Sequence, residues 1–220
     1  PAVYEGTYIV HAEAENYSTA DIPVAITVDD YFIELEMYTF YTESFESNEF
    51  SDDWNSNGDA QWYFVTESVY DGMYSVRSGE ISHDQSSSLN LNLNVTGYGQ
   101  IGFHYRVASE YSTSGNYFYD GLVFSIDGTE MGQYQPTEDG GTPWTYASFL
   151  VSPGEHVFVW SYVKDGGDGS TYMEEDCAWI DFVEFPPTGD SESPLDNVEF
   201  IVNSGWNMVG LPLNVENSNY

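Results

Sequence analysis

The chain has 220 residues, room for one large β domain or for one domain with pieces of others. Its 37 acids against 3 bases give a formal net charge of −34, which argues against nucleic acid and anionic membrane surfaces as partners. Such a surface suits divalent cations or a high-salt medium, and it also serves simply to keep an extracellular protein soluble. With a single cysteine, Cys177, no internal disulfide can form. No apolar run reaches the roughly 18 residues of a membrane-spanning helix, so no membrane insertion is expected. No signal-peptide pattern is present, and the first residue is Pro1, so the chain reads as a processed product or a piece of something longer.

In chain order, residues 1–30 contain two strand-like runs. These are Tyr4–Ala12 and Ile22–Val28, with a polar turn between them. The pattern G-x-Y-x-V…I-P-V-x-I-x-V is similar to the C-terminal hairpin of bacterial surface immunoglobulin-like repeats. Two strands cannot bury a core, so this hairpin is expected to belong to an incomplete unit or to dock on another. Residues 31–43 form a connecting strand. Tyr31, Ile33, Leu35, Met37 and Tyr41 share one face, and Glu34 and Glu36 share the other. An apolar-faced strand seeks an edge. It either joins a neighbouring domain or a neighbouring copy by strand addition, or serves as an ordinary strand of the central domain.

Residues 44–187 read as an all-β sandwich of about eight or nine strands, with no helical period anywhere. Leu89, Leu91, Leu93 and Val95 alternate with Asn90, Asn92 and Asn94, which places the leucines in a core and the asparagines in water. Asp127-Gly128 and Pro153-Gly154 mark turns. The final strand, Asp176–Phe185, stops at Pro186-Pro187. Its alternation puts Cys177, Trp179, Asp181, Val183 and Phe185 on one face. Asp181 thus falls within an apolar row, where a lone carboxylate costs several kcal/mol unless paired, hydrogen-bonded or metal-bound. With Arg77, Arg106 and Lys164 as the only basic side chains, Ca²⁺ becomes a serious candidate partner.

The run F-E…Y-D-G-x-Y-S-x-R-S-G…I-x-F-x-Y-R-V…D-x-L-x-F-x-I-D-G…W-x-Y-x-K-D-G…D-C-A-W-I-D covers roughly two thirds of the chain. It resembles the jelly-roll modules of bacterial cell-surface proteins, which are related in pattern to MAM domains and to the cleaved-adhesin domains of secreted proteases. The resemblance implies a jelly-roll β-sandwich and structural Ca²⁺, with Glu46 of the opening F-E and Asp181 of the last strand as ligands. It does not imply one ligand, because such modules include adhesive, carbohydrate-binding and structural members. Residues 188–220 read as a linker and the start of a further β domain. There Ser204–Leu213 is similar to a G-W-N-M-V-G-L-P segment of secreted multidomain proteins.

The candidate metal ligands are Glu46, Asp176 and Asp181, followed by Asp120 and Glu110 near strand ends. Asp53-x-Asn55-x-Asn57-Gly58-Asp59 matches the front of an EF-hand loop, but Phe64 stands where the closing glutamate belongs, and no helices flank it. The Asp165–Ser170 loop could wrap an ion, although a plain loop is the simpler reading. Arg77 and Arg106 are expected to pair with carboxylates. His83-Asp84 with Ser86–Ser88 allows a Ser–His–Asp set to be written down, but such residues co-occur by chance. Trp54, Trp62 and Trp144 could stack on sugars, with core packing as the default. Cys177 is expected to be a small core hydrophobe.

The expectation is a non-enzymatic, calcium-stabilised structural or adhesive module of an extracellular bacterial surface protein or filament. Its partners would be neighbouring copies, adjacent domains or glycans. The alternative is a carbohydrate-binding module appended to a secreted hydrolase.

Overall fold

The computed structural model describes residues 6–12, 20–26, 31–35, 41–111, 117–138, 141–167, 175–188 and 198–202, the first three spans and the last as backbone strands. Fifteen strands are present among the described residues. β1 (Gly6–Ala12) pairs antiparallel with β2 (Ala20–Ile26), with Gly6 opposite Ile26. β3 (Tyr31–Leu35) pairs with β15 (Val198–Val202), with Leu35 opposite Val198. One edge of the connecting strand is therefore met by β15 of the same chain. The expected features at Met37, the Ser204–Leu213 motif and the tip of the glycine-rich loop lie outside the described residues.

Between these pairs lies an antiparallel two-sheet sandwich, the fold class read from the sequence. One sheet has the order β11-β10-β13-β8-β5, from Thr129–Tyr134, Gly121–Ile126, Gly154–Val163, Ser86–Val95 and Trp54–Gly58. The other has the order β12-β9-β14-β7-β6, from Thr145–Val151, Gly99–Ala108, Cys177–Glu184, Ser75–Arg77 and Tyr63–Val65, with β4 (Thr42–Glu43) also on β14. The strands exceed the eight or nine expected because β4 is only two residues long and β5 and β11 are polar and carry no apolar alternation.

The core lies between the sheets. Leu89, Leu91, Phe124, Phe158 and Trp160 face Ile101, Phe103, Val107 and Ile180, all essentially inaccessible to solvent. Phe103 approaches Phe124 at 4.8 Å and Trp160 edge-on at 5.4 Å. Each such side chain contributes about 1.5–3 kcal/mol through burial. Asn92 and Asn94 are exposed, as the alternation of β8 predicts. Trp54 and Trp62 join the core, and Trp62 Nε1 donates to the Ser87 carbonyl at 3.0 Å. The EF-hand-like stretch is an edge strand instead. Trp54 pairs with Leu91, and the Asp59 carboxylate accepts the Ser86 N–H at 2.9 Å.

The last strand departs from its expected facing. Ala178 and Ile180 point into the main core, whereas Cys177 and Trp179 pack with Val65, Ala108 and Trp144 in a second cluster on the outer side of the six-stranded sheet. Pairing with β9 slips between Asp181 and Glu184, where Phe182 has φ 47°. That bulge shifts the alternation, so Val183 and Phe185 return to the main core. Cys177 is a buried apolar residue as expected, but in the outer cluster.

Candidate functional site

The outer side of the six-stranded sheet carries the densest chemistry. The connection from β6 to β7 crosses it and is held there by two carboxylates. Asp181 is fully buried on β14, and its Oδ2 accepts the N–H groups of Tyr70 at 2.8 Å and Asp71 at 3.0 Å. Its Oδ1 accepts the Phe182 N–H at 2.7 Å. Glu46, from the opposite end of the sandwich sequence, accepts the N–H groups of Met73 at 2.8 Å and Tyr74 at 2.9 Å through Oε1. Gly72 sits between these anchors with φ +67°, and a Cβ there would fall 2.4 Å from the Glu46 carboxyl carbon. Only glycine fits both the conformation and the space.

Burial pushes the Asp181 carboxyl up to about 6, against the pull of its N–H donors and with a further push from Asp71. No lysine or arginine pairs with Asp181 or Glu46 among the described residues. A carboxylate offers about four lone-pair positions. Asp181 uses three of them, and Glu46 Oε2 has no described hydrogen bond. Glu46 and Asp181 reach the same loop through different N–H groups, whereas the described acids whose carboxylates come together are Glu110, Asp120 and Asp165.

The loop brings Tyr70 onto His104, ring on ring at 3.6 Å, with Trp144 at 6.1 Å and Phe182 at 6.4 Å. Tyr146 lies 5.0 Å from His104 and donates its hydroxyl to Glu184. Burial lowers the His104 imidazole below its ordinary range. Tyr70 and Tyr146 remain nearly half exposed, so this aromatic group presents a surface. Beside it, the Arg106 and Arg77 guanidiniums lie 4.5 and 5.9 Å from the Trp179 ring. Arg106 pairs with Glu175 at 3.1 Å, as expected of a scarce cation. Arg77 does not meet that expectation: its described partners are the Cys177 sulfur at 3.0 Å and the Tyr63 hydroxyl.

The other three expected ligands, Asp176, Asp120 and Glu110, lie at a separate place, around the end of β13 and the start of β14. Lys164, with a side chain only 10% exposed, contacts the Asp176 carboxylate and lies 3.7 Å from Asp120 Oδ2. Asp176 Oδ1 also accepts the Tyr162 hydroxyl at 2.5 Å. Asp120 is buried and accepts the Asp165 N–H at 2.9 Å, and burial pushes its carboxyl up to about 6. Glu110 and Asp165 bring their carboxylates close to that of Asp120. Burial pulls the Lys164 ammonium down, but Asp176 and Asp120 outweigh it and hold it above its ordinary range. Lys164 stood in the sequence only as a scarce cation. Its position two residues beyond the buried Tyr162 was the available signal.

Of the serines in the Ser86–Ser88 run, Ser87 Oγ donates to the Ala60 carbonyl and Ser88 Oγ bonds Ser161 Oγ. A groove of about 350 Å³ opens between the sheets, lined by Tyr41, Trp54, Phe185, Glu43 and Asn92 among others.

No protein-family model matches the chain, and no curated protein matches it. Among solved structures, it is similar to a cleaved adhesin domain of Lys-gingipain from Porphyromonas gingivalis. That match has 14% identity over 69% of this chain and 99% of that one, with a TM-score of 0.47. A CBM22 xylan-binding domain from Paenibacillus barcinonensis matches at 12% identity over 67% and 93% of the two chains, with a TM-score of 0.42. The secreted serine protease VesC from Vibrio cholerae matches at 12% identity over 84% of this chain and 44% of that one, with a TM-score of 0.44. The fold class rests on the two sheets described above. No helix among the described residues is long and apolar enough to cross a membrane.

Proposed function

We propose that this chain is a non-catalytic structural or adhesive module of a secreted bacterial surface protein, whose β6–β7 loop is locked by Ca²⁺ held through Glu46 and Asp181. The observation that carries this reading is the convergence of those two carboxylates, 135 positions apart, on the single loop Tyr70–Tyr74 with no cationic side chain described against either. The cation would offset their charge and fix the loop that supports the Tyr70–His104 stack. The reading is tested by thermal melts in EDTA and in millimolar Ca²⁺. A rise of several degrees with Ca²⁺, absent in Glu46→Gln, is expected; equal melting temperatures overturn the calcium part. Neighbouring copies or adjacent domains are the partners this reading favours.

A second reading is favoured by the half-exposed Tyr70 and Tyr146, which offer ring faces of the kind sugars stack against. It makes the module carbohydrate-binding. Retardation on polysaccharide gels that is lost in the Tyr70→Ala, Tyr146→Ala double variant supports it. Unretarded passage of the wild type over a panel of plant and bacterial glycans rejects it.

A further inference from the structure

The only lysine of the chain is placed against a carboxylate in an arrangement that contains every part of an amide-forming site. We propose that Lys164 and Asp176 become joined by an isopeptide bond between Lys164 Nζ and Asp176 Cγ, tying the end of β13 in one sheet to the start of β14 in the other.

The parts are an amine, an electrophile, a proton acceptor and a donor to the developing oxyanion. Lys164 Nζ touches the Asp176 carboxylate, so the reacting atoms are already neighbours. The Tyr162 hydroxyl donates to Asp176 Oδ1, the oxygen that carries negative charge when the amine adds to Cγ. Burial raises the Tyr162 phenol above its ordinary range, which keeps it a donor. Asp120 Oδ2 lies 3.7 Å from Nζ and is held in place by the Asp165 N–H. It is nearly inaccessible to solvent, which suits a proton relay at this position.

The step balances without any further reagent. The ammonium gives one proton to Asp120 and becomes a nucleophilic amine. The N–Cγ bond forms, and the tetrahedral oxygen is held by Tyr162. Asp120 returns the proton to the departing oxygen, and the second ammonium proton leaves with it. The Cγ–O bond breaks, one amide and one water result, and nothing is oxidised or reduced.

A salt bridge alone would satisfy Lys164 with one carboxylate at the surface. Here the Lys164 side chain is nine-tenths buried, with Asp120 and Asp176 against its amine and the Tyr162 phenol on Asp176. The chain has no disulfide with which to fasten its sheets, and this bond would close the segment between positions 164 and 176 covalently.

The test is intact-mass spectrometry of the denatured chain, followed by tryptic mapping. The bonded chain is lighter than its sequence by one water. Trypsin can cut only after Arg77, Arg106 and Lys164, so the bond also replaces the fragments 107–164 and 165–220 by a single 107–220 fragment lacking one water. Water loss through a cyclic imide at an Asp-Gly pair leaves the cut after Lys164 intact, and that outcome rejects the proposal. Lys164→Arg and Asp176→Ala should both have the full mass. Asp120→Asn, which keeps the Lys164–Asp176 contact, should slow bond formation by about 10²–10⁴-fold. A wild-type chain at full sequence mass, cut after Lys164, overturns the inference whatever the variants do.

Discussion

Asp181 has no exposed surface, and its oxygens face backbone N–H groups rather than a cationic side chain. Its carboxyl is raised from 3.8 to about 6, so the folded chain holds this proton more tightly than the unfolded chain does. The stabilisation is therefore complete below pH 3.8 and is lost as pH rises through about 6. Without divalent cations, stability should fall by on the order of 2–3 kcal/mol from pH 4 to 7 through this group alone. Urea unfolding across that range measures it, and Asp181→Asn should flatten the profile. At neutral pH the same substitution should cost about 1–3 kcal/mol, because an amide NH₂ would face the Tyr70 and Asp71 donors. Added Ca²⁺ should reverse the wild-type trend, since a bound cation holds the carboxylate deprotonated. The burial of Asp181 was legible in its apolar neighbours. The identity of its donors was not, because they come from a loop 110 positions away whose register no local pattern encodes.

The β6–β7 loop shows how a short element can be fixed from outside itself. Replacing Gly72 by alanine sets a Cβ against the Glu46 carboxyl and strains a left-handed backbone. The expected cost is about 1–3 kcal/mol, read by thermal melting, together with loss of any Ca²⁺ response. On β14, alternation correctly read the strand and its burial, but assumed one unbroken period. The bulge at Phe182 breaks that period, and nothing in an aromatic residue announces a positive φ. β8 carries no such interruption, and its leucine–asparagine alternation gave the facing of the strand from sequence alone. Glu46 and Asp181 take N–H groups of one loop, a convergence that neither residue's local sequence encodes. Asp120 and Asp176 instead gather around Lys164, because β13 and β14 bring their ends together across the sandwich.

For the whole molecule the net charge of −34 sets a background against which each local effect is read. Salt near 1 M shortens the screening length to about 3 Å and should raise the melting temperature by relieving self-repulsion. Millimolar Ca²⁺ should act beyond that at constant ionic strength. An equal response to NaCl and CaCl₂ matched for ionic strength would assign the acidity to solubility alone. The pairing of β3 with β15 has a mechanical consequence. Tyr31 lies opposite Val202 and Leu35 opposite Val198, so the outward-leading chain ends emerge from the same end of this pair. Tension applied beyond those residues peels its hydrogen bonds one rung at a time. The sandwich behind it is loaded only after the clasp has opened, so the pair acts as a fuse that yields at low force.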